Sequence, residues 1–259
     1  MALVAQLSDP HLREDGADPF HDPARALRQA FTQIAAMDVT PDAIVLTGDI
    51  IDRSATGYVH ALPLLREAPV PLWPMPGNHD DPAVFRIAFD DWADFAPDHL
   101  SYTAQIADLQ LVALDSTLPD GSAGLDHTRL DWLAGVLGHS RKPILLALHH
   151  PPFPTGARHL DEPGFQNADT LSRLIADSAV RRIITGHSHR AIQTIWAGCL
   201  ASTAPAIGHG LSLSLSGRDP HKPARMVPAF DLHAISHDLC VSHQIQLHHQ
   251  PDPRDPASP

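Results

Sequence analysis

The sequence predicts an α/β fold, and three observations support that prediction. Short apolar runs alternate with helical patterns through the first part of the chain, and polar motifs follow several of these runs directly. From about residue 190 onward the pattern changes to the alternation that is typical of β-strands. A length of 259 residues suits one domain, which we place at residues 1–249. Residues 250–259 hold four prolines and no large apolar side chain, which predicts a disordered tail.

Local signals place the N-terminal elements. Residues 3–7 form an apolar run that predicts the first strand. Asp22 is a suitable N-cap for a helix, and Pro23 is a suitable first helical residue because its fixed φ fits the first turn. The helix that follows is expected to bury one apolar stripe, which consists of Leu27, Ala30, Phe31, Ile34 and Ala35.

The middle of the chain continues the same alternation of strands and helices. Its apolar runs are short and bounded by turn residues, which is typical of buried strands. The predicted elements are strands at 43–46 and 71–75 separated by a helix near 58–66, and a hairpin of 102–106 and 109–114 around Asp108.

Beyond the hairpin, Asp126 is a predicted helix cap, and a strongly apolar run predicts a buried strand. Residues 153–169 form a long, polar, glycine-containing segment, which is typical of a lid or a specificity loop. The other predicted elements are strands at 144–148 and 182–185, a helix at 171–176, and alternating strands at 192–196, 211–215, 228–234 and 241–247.

The composition limits the classes of partner. The formal net charge is −12, and the 18 Lys and Arg residues form no basic run, so we expect no nucleic-acid polymer as a partner. Cys199 and Cys240 do not form a disulfide framework. No apolar run reaches the length of a membrane span and no signal-peptide pattern is visible, so we expect a cytoplasmic protein without a membrane partner.

Polar motifs stand where predicted strands end. In α/β folds the loops beyond the carboxyl ends of strands gather at one crevice, so we expect these motifs to meet. Their carboxylate, amide and imidazole groups form an oxygen and nitrogen donor set suited to Mn, Fe, Co, Ni or Zn. The motifs are Asp9-Pro10-His11, Gly48-Asp49-Ile50-Ile51-Asp52, Gly77-Asn78-His79-Asp80, His149-His150-Pro151-Pro152 and Gly186-His187-Ser188-His189.

The number of candidate ligands predicts two metal ions. The set exceeds what one ion needs, and an aspartate has two oxygens that can bridge two cations. Two divalent ions ~3.5–4 Å apart clamp the attacking and leaving oxygens of a phosphate ester and lower the pKa of a bound water. They also neutralise a phosphate anion that a chain of net charge −12 would repel. The sequence therefore predicts hydrolysis of a phosphate ester by metal-bound hydroxide.

The ordered motifs resemble the calcineurin-like metallophosphoesterases, whose pattern is DxH, GDxxD, GNH[DE], a histidine before proline, and GHxH. The resemblance extends from Asp9 to His189. It implies a four-layer αββα sandwich of two mixed β-sheets flanked by helices. The His-His-Pro-Pro form, the length and the tail resemble the class III cyclic nucleotide phosphodiesterases and glycerophosphodiesterases. The implied substrate is a small phosphodiester, either a cyclic nucleotide or a glycerophosphodiester.

The resemblance also implies roles for individual residues. One metal ion would be held by Asp9, His11, Asp49 and His189, and Asp49 would bridge to a second ion that Asn78, His149 and His187 complete. The implied ions are Mn, Fe, Zn or Co. His79 would contact the phosphate and assist departure of the leaving alkoxide, and Asp52 would orient His79 and favour its protonated form. His150 is expected to pack or hydrogen-bond locally.

Further residues are predicted to contact the substrate. These are Asn78 and His79 in the motif, Arg53 as in the GDxxDR phosphatases, Asp161 and Asn167 in the long loop, and His209 at the mouth of the site. Alternative functions are a phosphomonoesterase, a nuclease, which the acidic composition disfavours, and a non-catalytic metal-binding scaffold. The segment after residue 190 is expected to shape the pocket and the contacts of a homo-oligomer.

Overall fold

The structure, a computed structural model, describes residues 1–13, 20, 22–54, 56–217 and 222–247. The predicted tail at 250–259 lies outside these residues. The helices are α1 (Pro23–Ala35), α2 (Gly57–Leu65), α3 (Pro82–Ala88), α4 (His127–His139), α5 (Arg158–Asp161) and α6 (Ala168–Ala176). The strands are β1 (Ala2–Leu7), β2 (Ala43–Thr47), β3 (Leu72–Met75), β4 (Tyr102–Ile106), β5 (Leu109–Leu114), β6 (Ile144–Leu148), β7 (Val180–Thr185), β8 (Ile192–Trp196), β9 (Cys199–Thr203), β10 (Gly210–Leu211), β11 (Pro223–Ala224), β12 (Ala229–Ile235) and β13 (Cys240–Gln246).

Within the described residues the strands form two large mixed sheets. The first has the order β13-β12-β1-β2-β3, with parallel pairing of β1, β2 and β3 and antiparallel pairing of β12 with its neighbours. The second has the order β4-β5-β6-β7-β9-β8, with β5, β6, β7 and β9 parallel. β2 and β6 are buried along their whole length, as expected for central parallel strands covered on both faces.

The two sheets pack face to face, and helices cover both outer faces. Between the sheets, Val4 and Val45 of the first sheet share a core with Leu111, Leu145 and Ile184 of the second. Side chains of α1, α2 and α3 pack on the outer face of the first sheet, and those of α4 and α6 pack on the outer face of the second. These layers confirm the four-layer αββα sandwich.

Several local predictions are confirmed. The Asp22 carboxylate accepts a hydrogen bond from the Arg25 amide at the start of α1, and Pro23 is its first residue. Asp126 caps α4 in the same way. Strands β4 and β5 pair as the predicted antiparallel hairpin. The sequence signals for helix starts and tight turns are local, which explains why they transfer directly to the structure.

Four predictions are corrected. Residues 211–215 do not form a strand beyond the two-residue pairing of β10 with β11, and Leu213 and Leu215 are exposed, so their alternation does not mark a buried face. Ala35 is exposed because α1 ends there. The segment 153–169 contains α5 and the start of α6. Helix α3 and strand β9 were absent from the prediction.

Candidate metal centre

The predicted ligands lie at the carboxyl ends of strands in both sheets. Asp9 and His11 follow β1, Asp49 follows β2, and Asn78 follows β3 in the first sheet. From the second sheet, His149 follows β6, and His187 and His189 follow β7. Strands β1, β2 and β3 are parallel neighbours in the first sheet, and β6 and β7 are parallel neighbours in the second. Their loops therefore meet where the edges of the two sheets face each other. The structure therefore brings together residues that are far apart in the chain.

Backbone strain is concentrated at these ligands. The φ angle is positive at five of them, at 51° for Asp9, 46° for His11, 50° for Asp49, 67° for His187 and 50° for His189. Residues other than glycine hold this left-handed conformation at a cost of about 1–3 kcal/mol each, and only where surrounding structure enforces it. Strain repeated at five residues in three neighbouring loops indicates a site maintained for function rather than for stability.

One group of donor atoms contains Asp9, His11, Asp49 and His189, whose ligand atoms lie within 4.8 Å of one another. The Nε2 atoms of His11 and His189 are 3.0 Å apart. Asp49 Oδ2 lies 3.5 Å from His11 Nε2, and Asp9 Oδ1 lies 3.6 Å from His189 Nε2. All four side chains are buried. This arrangement is the set that the resemblance implies for the first metal ion.

The second group shares Asp49 with the first. Asp49 Oδ2 lies 3.4 Å from His149 Nε2, which in turn lies 3.1 Å from Asn78 Oδ1. The ring of His187 lies 5.2 Å from that of His149. His149, His150 and His187 also place one nitrogen each within 4.8 Å of one another. His150 accordingly lies closer to the second group than the sequence alone indicates, although it also hydrogen-bonds Ser116 Oγ at 3.0 Å.

Hydrogen bonds from Nδ1 to backbone carbonyls fix the ring orientation of two histidines. His149 Nδ1 donates to the Thr47 carbonyl at 2.8 Å, and His189 Nδ1 donates to the His209 carbonyl at 2.7 Å. In the neutral form of each ring, Nε2 therefore carries a lone pair that faces the cluster. Metal-binding histidines are commonly oriented in this way by a partner on their second nitrogen.

The electrostatics of the cluster fit a bound cation. Burial lowers the pKa of His187 and of His189 to about 3, so both rings are neutral and offer lone pairs. Burial also opposes protonation of His149, but Asp49 and Asp9 outweigh it and raise the pKa of His149 to about 9. The buried carboxylates thus attract a positive charge to the place where Asn78 Oδ1 and His149 Nε2 meet. Neutral imidazoles, carboxylates and an amide oxygen together form a suitable donor set for divalent transition metals.

Glycine is required where two of the loops touch. Gly48 has a φ angle of +93°, and a Cβ atom there would collide with the His149 ring. At Gly77 a Cβ atom would collide with the carboxylate of Asp49. The absence of a Cβ atom at these two positions allows the backbones of the loops to approach each other closely beside the ligands.

His79 and Asp52 form a pair at the edge of the cluster. His79 Nδ1 donates to Asp52 Oδ1 at 2.9 Å, and Asp52 also accepts from Arg13 at 2.7 Å. The imidazoles of His11, whose Nδ1 lies 3.9 Å from Asp52 Oδ1, and of His79 together hold the pKa of Asp52 below its ordinary value. Burial lowers the pKa of His79, and this effect exceeds the opposing attraction of Asp49 and Asp52. The hydrogen bond to Asp52 favours the protonated imidazole as predicted, and the role of His79 as a proton donor stays a prediction.

Asp80, for which the sequence analysis predicts no role, joins the loops after β2 and β3. Asp80 is buried and accepts hydrogen bonds from the amides of Ile50, Ile51 and Gly77 and from the hydroxyl of Tyr58. Burial, with the charge of Asp49, raises the pKa of Asp80 to about 6. The sequence shows Asp80 as the last residue of the Gly-Asn-His-Asp motif. Its donors Ile50, Ile51 and Tyr58, however, lie in other segments of the chain, and no local pattern connects them to Asp80.

A pocket of about 680 Å³ opens beside the cluster. Asn78 and His79 line it together with the exposed Arg53 and with residues of α3. The ring of His209 lies 5.6 Å from that of His11 and 5.1 Å from that of His189, on the first donor group. Arg53 and His209 are therefore beside the centre, and their predicted contact with substrate stays a prediction.

The two candidates from the long loop have local partners. The Asp161 carboxylate accepts from the amide and hydroxyl of Thr155 and from the Gly156 amide, which closes the loop on itself. Asn167 precedes α6 in a left-handed conformation and donates to the Leu125 carbonyl at 2.7 Å. Their predicted role in reading the substrate also stays a prediction.

The fold and the cluster together define an αββα sandwich with a candidate metal site at the strand ends. A family model described as Calcineurin-like phosphoesterase matches residues 2–191. The chain therefore belongs to the calcineurin-like phosphoesterase family, a family of hydrolases. None of the described helices is long and apolar enough to cross a bilayer.

Curated relatives and a solved structure are similar to this chain. It is 27% identical over 266 residues to glycerophosphodiester phosphodiesterase GpdQ of Enterobacter lignolyticus, an alignment that covers 97% of this chain and 93% of that protein. It is 31% identical over 194 residues to 3',5'-cyclic adenosine monophosphate phosphodiesterase CpdA of Pseudomonas aeruginosa, which covers 73% of this chain and 70% of that protein. The structure of a dimetal phosphatase from Danio rerio has a TM-score of 0.69 at 16% identity, covering 95% of this chain and 99% of that one.

Proposed function

We propose that the protein hydrolyses a small phosphodiester, a cyclic nucleotide or a glycerophosphodiester, at a centre of two divalent metal ions. The observation that carries this proposal is the pair of buried donor groups that share Asp49, next to the His79–Asp52 pair. The names of two relatives, one a glycerophosphodiester phosphodiesterase and one a cyclic AMP phosphodiesterase, support the diester as the substrate class.

The donor set fits Mn, Fe, Zn or Co. Asp9, His11, Asp49 and His189 are the ligands of the first ion, and Asp49, Asn78, His149 and His187 are those of the second. When bound, the two ions supply an activated water and neutralise the phosphate charge.

The remaining groups of the site act on the substrate directly. Asp52 accepts the Nδ1 proton of His79, which leaves Nε2 of that ring facing away from Asp52, and when the ring is protonated its Nε2 proton is available to the departing alkoxide. Arg53 lines the same pocket as Asn78 and His79 and offers a cation to the phosphate. Proton donation and charge pairing at one ester group together favour hydrolysis of an unactivated diester.

Activity on paired synthetic substrates tests the proposal. The Mn²⁺-loaded protein is assayed on bis-p-nitrophenyl phosphate and on p-nitrophenyl phosphate, and then on 3',5'-cyclic AMP and glycerophosphoethanolamine. We expect faster turnover of the diester, and loss of turnover with EDTA and in Asp49→Asn. Faster turnover of the monoester would replace the diesterase by a phosphomonoesterase. Bound metal without turnover of any substrate would favour the non-catalytic scaffold.

We also propose that the protein is a cytoplasmic homo-oligomer. Large apolar side chains are exposed after residue 190, among them Ile195 at 70% and Leu215 at 65%. Exposed apolar surface of this kind is typical of subunit contacts. Light scattering coupled to gel filtration measures the molar mass, and a value of 28.0 kDa at all concentrations would contradict self-association.

A further inference from the structure

A continuous chain of hydrogen bonds joins the C-terminal strands to the predicted ligand Asp9. It starts at Ser242 in β13, passes through His233 in β12 and Gln6 in β1, and reaches the end of β2 and the residue after β1. The successive distances are 2.7 Å for Ser242–His233, 3.0 Å for His233–Gln6, 3.0 Å for Gln6–Thr47, 2.7 Å for Thr47–Ser8 and 2.5 Å for Ser8–Asp9. We call these six residues the Asp9 relay.

At the Asp9 end of the relay, the charge of Asp9 determines which group donates each hydrogen bond. Asp9 must be ionised to bind a cation, so its Oδ2 only accepts, and the Ser8 hydroxyl donates to it. Ser8 Oγ then accepts from the Thr47 hydroxyl, because its single proton is already used. Thr47 Oγ1 in turn accepts from the Gln6 amide nitrogen.

The direction at the far end is determined independently. Gln6 Nε2 also donates to the Thr185 carbonyl at 2.9 Å, and a carbonyl only accepts, so the Gln6 amide has one possible orientation. Its oxygen therefore accepts from His233 Nε2, which leaves His233 Nδ1 to accept from the Ser242 hydroxyl. Burial lowers the pKa of His233, so the ring is neutral and its single proton lies on Nε2. All five hydrogen bonds thus point toward Asp9.

The burial of the relay makes each link consequential. Gln6, Ser8, Thr47, Asp9 and His233 are fully buried, so water cannot replace a missing partner. A buried polar group without a partner costs about 1–3 kcal/mol, and aligned hydrogen bonds polarise one another. When a residue that hydrogen-bonds to a metal ligand is removed, metal affinity typically falls by about 10–100-fold.

We propose that the Asp9 relay is a positioning device for the metal ion held by Asp9. It holds Asp9 Oδ2 in a hydrogen bond with Ser8, while Asp9 Oδ1 faces His189 Nε2 at 3.6 Å as a ligand. Gln6 and His233 are positioning residues that act on the metal through Thr47 and Ser8. Through this relay β12 and β13, which lie beyond the residues matched by the family model, contribute to the centre. The inference rests on the proposed metal centre and is independent of the substrate.

A matched pair of variants at Thr47 tests the relay. Thr47→Val keeps the shape of the side chain and removes its hydroxyl, whereas Thr47→Ser keeps the hydroxyl. We expect Thr47→Val to weaken binding of one of two Mn²⁺ ions by about 10-fold, and to change the visible absorption of the Co²⁺-loaded protein. Thr47→Ser should bind both ions as the wild type does.

Two further variants separate positioning from general destabilisation. Gln6→Met interrupts the relay two hydrogen bonds before Ser8 and should weaken the same ion by a smaller factor. Tyr102→Phe removes another buried hydroxyl between the sheets, one that donates to the Pro74 carbonyl at 2.8 Å, and should leave both ions unaffected. Circular dichroism confirms folding of each variant.

The outcomes distinguish this inference from the proposed function. Unchanged Mn²⁺ affinity and Co²⁺ absorption in both Thr47→Val and Gln6→Met would overturn the relay, as would an equal loss in Tyr102→Phe. Failure of the wild type to hydrolyse any diester, with two ions bound and the graded losses observed, would reject the diesterase and leave the relay intact.

Discussion

The histidines at the centre differ in the role that their hydrogen-bond partners favour, which is metal binding for some and proton transfer for His79. The histidines with a backbone carbonyl on Nδ1, His149 and His189, present the lone pair of their neutral form on Nε2 and are suited to ligation. His79 differs, because its Nδ1 partner is the carboxylate of Asp52 and its ring lines the open pocket. A half-buried imidazole next to a carboxylate is suited to proton transfer rather than to metal binding.

This division predicts that His79→Ala affects substrates according to their leaving group. We expect kcat to fall by about 10²–10⁴-fold for 3',5'-cyclic AMP, whose alkoxide needs a proton, and much less for bis-p-nitrophenyl phosphate. The measurement is kcat for both substrates in the Mn²⁺-loaded enzyme, with the exposed His60→Ala as the control. Equal losses for the two substrates would contradict a proton-donor role.

Asn78 is predicted to act on one metal ion more than on the other. Its Oδ1 lies 3.1 Å from His149 Nε2, in the second donor group. We therefore expect Asn78→Ala to weaken the second Mn²⁺ by about 10-fold or more while the first stays bound. Isothermal titration gives both affinities, and an unchanged pair of affinities would reject this assignment.

At the scale of elements, the carboxylate of Asp80 links the loops after β2 and β3 to each other and to α2. Asp80 accepts from Ile50, Ile51 and Gly77, and Tyr58 of α2 donates to it at 2.5 Å. Since Asp49 and Asn78 lie in these two loops, the position of two ligands depends on Asp80. The short phenol-to-carboxylate bond also fixes α2 over the loop.

Tyr58→Phe is predicted to lower the free energy of unfolding by about 1.5–3 kcal/mol at pH 8, because it removes a hydrogen bond to an ionised group. Tyr102→Phe, whose hydroxyl donates to the neutral Pro74 carbonyl, should cost about 1 kcal/mol. Urea unfolding of both variants measures the difference. A smaller loss in Tyr58→Phe than in Tyr102→Phe would show that Asp80 does not depend on Tyr58.

The elements that sequence predicts well are those whose signal is local. Strand β6 is a continuous apolar run, and Asp126 caps α4 by accepting from the amide of Arg129, three residues later. Both features can therefore be predicted from neighbouring residues. The motif residues can also be predicted, because each motif directly follows an apolar run. The Gln6–His233 contact joins residues that are 227 positions apart in the chain, and no local pattern reports such a contact. Residues 211–215 alternate like a strand but have no long partner.

Across the whole molecule, the layer between the sheets is apolar in one part and polar in another. Val4, Val45 and Leu145 fill the apolar part. The polar part contains Arg182 of β7, whose Nη2 donates to Ser202 at 2.6 Å and whose Nε and Nη1 have no hydrogen-bond partner among the described residues. Asp231 of β12 lies in the field of this guanidinium. The packing of the two sheets thus depends on charges that are removed from water.

Asp231 is predicted to make stability depend on pH. Burial raises the pKa of Asp231 to about 6, and the attraction of Arg182 only partly opposes this, whereas an unfolded aspartate titrates near 3.8. Between these two values the folded state binds more protons than the unfolded state, so the contribution of Asp231 to stability falls as the pH rises from about 4 to 6. A difference of about two pKa units corresponds to roughly 3 kcal/mol.

Asp231→Asn removes this titration and keeps the size of the side chain. We expect the stability of Asp231→Asn relative to the wild type to increase by roughly 2–3 kcal/mol between pH 4 and pH 7, and then to level off. Urea unfolding of both proteins across this range gives the difference, in which the titration of all other groups cancels. The constant offset includes any change in the environment of Arg182, so the slope is the diagnostic quantity. A difference that is independent of pH would mean that Asp231 is ionised throughout, held in that state by Arg182.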